Sequence, residues 1–358
     1  MVTERLDVGC RAAATMVTVL HQGQTATSQP ASPWLAEVQS WLRAKSEFRM
    51  VPDLRIPPLP GGTDRPAARG GPRVGFAGFP SDFSLALLLA LIDSGVQVAG
   101  IATSVGANPA IAGENALSQV ADHLDVPLLR LARVNEYDSL VALERLHADL
   151  FMVASFDQIL GERALRIPKL GWVNVHPSLL PSYRGPEPVY WAIVNGEREA
   201  GVSFQRVARA IDAGPLLAQR SAPVLDSDTC GSLTRRLTDL GTQCVAEVVA
   251  MALAGDPGTP MDMSLGSYYT SVGHRRIDHV ESAVMADRLV RAGNPNMLAA
   301  TSCGGRVCYV LRARLVGPSD QAPGPRLNFP DGDLLLEQTS DRCGCHHGEP
   351  VGSCPHDE

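Results

Sequence analysis

The chain has 358 residues, 45% of them hydrophobic, enough for two globular domains with appendages. Its formal charge of −7 argues against a general nucleic-acid binder, because such proteins gather cations to meet phosphates. No run approaches the roughly 18 apolar residues of a spanning helix. The eight Cys show no disulfide-framework spacing, so a soluble cytoplasmic protein is expected.

Residues 1–72 differ in character from the remainder of the chain. Trp34, Leu35, Val38, Trp41 and Leu42 recur at helical spacing behind Ser32-Pro33, which predicts an amphipathic helix over 34–48. Residues 51–73 are rich in Pro and Gly and read as a linker. The segment 1–72 is therefore expected to be a poorly ordered N-terminal extension. From residue 73, apolar strands (73–78, 96–102, 126–131, 150–154) alternate with helices (85–94, 110–124, 137–146). Strands apolar on both faces that alternate with helices imply an α/β fold with a doubly wound, mainly parallel sheet. The first turn, Gly75 to Pro80, lacks the three-glycine pattern of a dinucleotide site, and Pro80 sits where the helix should open. NAD binding is not expected.

Residues 171–188, GWVNVHPSLLPSYRGPEP, organise the rest. The strand 172–176 breaks at Pro177, and a period of two puts Asn174 and His176 on one face while Val173 and Val175 pack the other way. Polar groups at the carboxyl end of a strand lie where open α/β sheets place their ligands. A strand over 201–207 then enters a loop, 208–215, that contains Asp212. A strand over 216–222, a long helix over 232–253 and a Gly/Pro break at 255–260 close a domain spanning 73–255. A helix over 277–292 and short strands over 306–313 and 334–337 predict a small β-rich domain over 261–338, followed by a Cys/His-rich tail over 339–358.

Asn174 can donate an amide N–H to a developing oxyanion, and His176 can donate a second bond or shuttle a proton. Asp212, if close, would favour the charged imidazole and relay the nucleophile's proton. No serine elbow and no Cys lies nearby in sequence, so the set suits direct acyl transfer through a tetrahedral intermediate rather than a covalent acyl-enzyme. Each residue also has an ordinary alternative: a structural His beside Pro, a turn Asp, an Asn that satisfies a strand end.

The combination Asn174-Val-His176-Pro-Ser-Leu-Leu-Pro-Ser-Tyr-Arg-Gly185, then Gly201-Val-Ser, then Ile211-Asp212-Ala-Gly214 resembles the signature of 10-formyltetrahydrofolate-dependent formyltransferases. That family acts on methionyl-tRNA, glycinamide ribonucleotide, sugars and siderophores. The resemblance runs over about 73–253, with a weaker likeness through 287–316. It implies a Rossmann-like formyltransferase fold, 10-formyltetrahydrofolate as formyl donor, Asn174 and His176 as oxyanion stabilisers, and Asp212 as the group that tunes His176 and helps deprotonate the amine. It further implies a folate pocket lined by Phe156, Gln158, Ile159, Leu160 and the loop Ala208, Arg209, Ala210, Ile211.

Met-tRNA formyltransferases typically carry a basic insertion after the second strand and a basic C-terminal domain. Here residues 101–129 hold no Lys or Arg, and over 261–338 eight Arg face eight Asp/Glu. Phosphate contacts dominate nucleic-acid affinity, so nucleic acid is not the expected partner. Nucleotide-sugar members often place Arg just after the Arg-Gly pair, where this chain has Pro186. The expected acceptor is a small amine or hydroxylamine of the N-hydroxyornithine type, met by Tyr183, Arg184 and Glu187. The alternatives are methionyl-tRNA, an amino sugar, or water in a formyltetrahydrofolate hydrolase. In the tail, Cys343, Cys345, His346, Cys354 and His356 offer enough soft ligands for a structural Zn, although their spacing fits no standard finger.

Overall fold

The computed structural model describes residues 33–49, 71–105, 116–271, 275–303 and 305–342. The chain order is α1 (Pro33–Ala44), β1 (Arg73–Gly78), α2 (Asp82–Asp93), β2 (Gln97–Ser104), α3 (Ala116–Leu124), β3 (Leu128–Leu131) and α4 (Tyr137–Arg145). It continues through β4 (Leu150–Ala154), α5 (Glu162–Leu165), β5 (Trp172–His176), α6 (Pro188–Val194), β6 (Glu199–Arg206), β7 (Leu216–Pro223) and α7 (Cys230–Leu253). After two short 3-10 turns come α8 (Ala283–Gly293), β8 (Ala299–Cys303), β9 (Arg306–Val316), β10 (Arg326–Phe329) and β11 (Gly332–Ser340).

Seven strands form one sheet in the order β3-β2-β1-β4-β5-β6-β7. β1 to β5 pair in parallel, whereas β6 and β7 run antiparallel to the neighbours they join. The chain winds one way from β1 through β2 to β3, then returns to lay β4 on the other side of β1. The carboxyl ends of β1 and β4 therefore flank the crevice where such sheets bind ligands. Val74, Phe76, Leu150 and Met152 are buried on the face covered by α2 and α7, and Phe151, Val153 and Trp172 on the opposite face.

Helix α1 packs into the main core instead of standing apart as an extension. Trp34, Leu35, Val38 and Leu42 are all buried there, and Trp34 lies 4.5 Å from the His123 ring. Behind the helix, Lys45 pairs with the fully buried Asp82 at 2.8 Å, and the Arg49 N–H donates to the same carboxylate at 3.0 Å. An unpaired Asp at that depth would be costly, so the segment 45–49 is held to the start of α2. Arg235 of α7 donates to the carbonyls of Arg43 and Lys45, and the Phe48 N–H donates to Gly231 at 3.2 Å.

The second sheet, β10-β11-β9-β8, is antiparallel and is covered by α8. The helix expected over 277–292 is split, because Ser282 caps α8 by accepting the Met285 N–H at 3.3 Å, and only a 3-10 turn, Ile277–His279, precedes it. α6, α7, α8 and the second sheet share one apolar cluster through Ile193, Leu233, Val290 and Leu334.

Candidate active site

β5 ends the parallel run, and its polar face opens at the carboxyl edge of the sheet. Val173 and Val175 are buried in the core, which turns Asn174 and His176 to the other side. Antiparallel pairing sets Gln205 of β6 opposite Asn174 and Ser203 opposite His176. The loop after β6 carries Asp212 back over this face with a left-handed backbone, φ 48°.

The three expected groups meet. Asp212 Oδ1 accepts from Asn174 Nδ2 at 3.2 Å and from Gln205 Nε2 at 3.0 Å, while Oδ2 accepts the Gly185 N–H at 2.9 Å. His176 Nδ1 faces Oδ2 at 3.7 Å, and Nε2 contacts the Tyr183 carbonyl at 2.8 Å. With Nε2 donating to that carbonyl, Nδ1 carries a proton toward Asp212 only when the imidazole is charged. Asp212 is thus fixed by three donors, and His176 is oriented from both ring nitrogens.

Gln205 is the residue that sequence reasoning missed. Besides its bond to Asp212, its Oε1 accepts the Gly214 N–H at 3.1 Å, so one amide holds the Asp212–Gly214 turn of the loop. Gly185 stands in the sequence motif without an expected role of its own, yet its N–H holds Asp212. At Gly185 (φ +93°), a Cβ would come 2.3 Å from the Tyr269 carbonyl.

The triad borders a cavity of about 620 Å³, within the range of small-molecule sites. Phe156, Ile159, Leu160, Ala208, Arg209 and Ile211 line one part of it. Ile159 and Ile211 are 64% and 39% exposed, large apolar groups left open at the lip. An apolar slot edged by the loop backbone around Asp212 suits a flat heteroaromatic ligand such as a pterin. Gln158 also borders the cavity, but its amide is committed elsewhere: Nε2 donates to Leu131 O at 2.8 Å and Oε1 accepts the Val134 N–H at 2.6 Å. Ala210 is not among the lining residues.

A second part of the cavity is lined by Phe79, Phe83, Glu187, Val189, Cys230 and Thr234. Burial pushes the Cys230 thiol up to about 12, which makes it a poor nucleophile and favours direct transfer. Of the three expected acceptor contacts, only Glu187 lines the cavity. Tyr183 contributes its backbone carbonyl to His176, while its ring stacks on Tyr269 and its hydroxyl donates to Glu197 at 2.5 Å. The Arg184 guanidinium donates to the Ser267 carbonyl at 3.3 Å. Both side chains leave the cavity because the loop backbone is left-handed at Tyr183 and Gly185. Cys343, Cys345, His346, Cys354 and His356 lie outside the described residues. Within the described residues, no group of three potential metal ligands converges, and no helix is long and apolar enough to cross a membrane.

Residues 80–249 match the family model for formyl transferase. The chain is 34% identical over 271 residues to the methionyl-tRNA formyltransferase of Pseudomonas fluorescens, covering 74% of this chain and 84% of that one. It is 36% identical to that of Methylococcus capsulatus, covering 70% and 83%. Among solved structures, a sugar N-formyltransferase from Shewanella has a similar fold, with TM-score 0.53 and 19% identity over 67% of this chain and 96% of that one. HypX from Aquifex aeolicus, determined with tetrahydrofolic acid, gives TM-score 0.56 and 18% identity over 75% of this chain and 44% of its own. Kinship at this level, over most of the curated relatives' length, carries one conclusion: the chain belongs to the formyltransferase family and is a folate-dependent formyl-transfer enzyme.

Proposed function

We propose that this enzyme moves the formyl group of 10-formyltetrahydrofolate to a primary amine at the crevice beside β5, in the cytoplasm. The observation that carries this reading is the meeting of Asn174, His176 and Asp212 at the edge of an apolar cavity. The donor supplies an activated formyl carbon. Asn174 stabilises the oxyanion that develops on it through the amide N–H that Asp212 leaves free. His176 does so when charged, through Nδ1, which lies 3.7 Å from Asp212 and beyond hydrogen-bond distance of it. Asp212, locked by Gln205 and Gly185, keeps Asn174 and His176 aimed and helps move the amine's proton. Phe156, Ile159, Leu160 and Ile211 hold the folate ring, and the backbone of residues 208–212 meets its polar edge.

For the acceptor, we take the amino group of methionyl-tRNA. The support is the set of curated relatives so named, matched over four-fifths of their length. This runs against the sequence-based expectation that nucleic acid is not a partner, and the similarities lend no support to an N-hydroxyornithine acceptor. A small amine remains a second reading for one reason: the chain holds no Lys or Arg over 101–129 and is balanced in charge over 261–338. The deciding experiment measures tetrahydrofolate release from 10-formyltetrahydrofolate with methionyl-tRNA, ornithine, N-hydroxyornithine or a nucleotide amino sugar, and with no acceptor. Release that requires methionyl-tRNA, with affinity falling steeply as salt rises, supports the first reading. Release with one small amine alone selects the second. Equal release without any acceptor would mean hydrolysis and would sink formyl transfer.

A further inference from the structure

Glu187 occupies the turn into α6, with Pro188 as the first helical residue. Its backbone is left-handed, φ 60°, an unfavourable conformation for a residue with a Cβ. The backbone already serves the helix, since the Glu187 carbonyl accepts the Trp191 N–H at 3.2 Å. The side chain does not cap the helix it precedes, although a carboxylate is welcome there. It lines the cavity instead.

Within the described residues, no hydrogen bond or ion pair engages this carboxylate. Cys230 of α7 and Tyr190 of α6 interact with it electrostatically, and neither supplies a cation. The other titratable groups that line the cavity include Asp157, His176, Asp212 and Arg209, of which Arg209 is already paired with Glu162 at 3.4 Å. The other carboxylates are committed: Asp212 accepts three hydrogen bonds and Asp157 accepts from Ser104. Glu187 is the uncommitted carboxylate of the cavity.

The reaction requires such a group. An acceptor enters as an ammonium, which has no lone pair for attack. Its conversion to a formamide releases two protons. One goes to N10 of the departing tetrahydrofolate as the formyl C–N10 bond breaks, and the other must leave the site. His176 and Asp212 can carry the first, and the second needs a separate base. We propose that Glu187 docks the acceptor's ammonium and takes this second proton, freeing the nitrogen to form its bond to the formyl carbon. The proton then passes from Glu187 to water. Burial pushes the Glu187 carboxyl up to about 7, which matches a base that must collect and release a proton near neutrality. This role rests on the formyl-transfer reading, but it holds for an aminoacyl ester or a small amine alike.

The test is the pH dependence of kcat/KM from pH 6 to 9.5 with methionyl-tRNA, or with ornithine if the tRNA is inert, for wild type, Glu187→Gln and Glu187→Asp. Glu187→Gln should lose about 10²-fold at the acid end and recover toward wild type once the amine deprotonates by itself. Glu187→Asp should restore part of the acid-side rate. A loss that is equal at every pH would mark Glu187 as merely structural, and a wild-type profile would overturn the proposal outright. A readout that needs no turnover completes the test: the Glu187 carboxyl NMR signal, identified by its absence in Glu187→Gln, should shift when methionine amide is added, and a signal that ignores the amine overturns the proposal. Failure of the formyl-transfer reading itself looks different, as wild-type enzyme that binds folate yet releases no tetrahydrofolate with any amine.

Discussion

Replacing Asp212 by Asn keeps the shape of the side chain and removes one acceptor. Asp212 Oδ1 serves two donors, Asn174 and Gln205, and Oδ2 serves the Gly185 N–H and faces His176. An amide has one oxygen, and the orientation that keeps two donors satisfied points its NH2 at Gly185 and His176. The Gly185 N–H then loses its partner, at a cost of about 1–3 kcal/mol for an orphaned buried donor. The proton carrier beside His176 is lost in the same change, and groups of this kind contribute about 10²–10⁴-fold in rate. Asp212→Asn should therefore lower both the urea midpoint and the rate of tetrahydrofolate release, while retaining folate binding. A variant within about 0.3 kcal/mol of wild-type stability that turns over at the normal rate would refute both the hydrogen-bond assignment and the chemistry built on it.

Three further perturbations test the scaffold. Trp34→Ala should cost about 3–5 kcal/mol by urea unfolding, since the ring is 1% exposed and packs on the main core; a change under about 1 kcal/mol would mean that α1 is not docked in solution. Gly214→Ala puts a Cβ 1.7 Å from the Arg206 carbonyl, so the loop must move and Asp212 with it, and turnover should fall far more than global stability; unchanged turnover would contradict the loop geometry. Asp149 accepts the Arg73 N–H at 2.9 Å and pairs with Lys169 at 2.8 Å, contacts that hold its carboxyl below the usual value. A depressed folded value stabilises above the unfolded one, near 4, and is lost as the pH falls through it, so wild type and Asp149→Asn should differ at pH 6 and converge by about pH 2–3. A constant difference across that range would assign the effect to packing.

The parallel half of the fold was readable because its strands are apolar on both faces. β4 and β5 have the bounds their composition suggests, and Pro177 ends β5 as a residue without an N–H should. The antiparallel turn of β6 and β7 left no such trace, since strand composition does not encode direction. Helix α6 was hidden by Pro186 and Pro188, which read as loop even though Pro188 serves as the first helical residue. Within the site, Asn174, His176 and Asp212 stood out because a motif tied them together. Gln205 joins them only through its pairing opposite Asn174, a long-range fact. Tyr183 and Arg184 lie in the same motif but turn outward, because positive φ values in the loop redirect them.

The docking of α1 has a consequence for how the chain is made. Its partners on α7 lie 190 and 192 residues further along, at Arg235. At a synthesis rate of about 5–20 residues per second, the helix waits roughly 10–40 s before that surface exists. Early in that interval, until α2 and α3 are made, Trp34, Leu35, Val38 and Leu42, all buried in the finished enzyme, form an apolar stripe with nothing to cover it. A helix made early can thus meet α2 and α3 soon after synthesis, yet its last contacts, those to Arg235, close only when α7 is made.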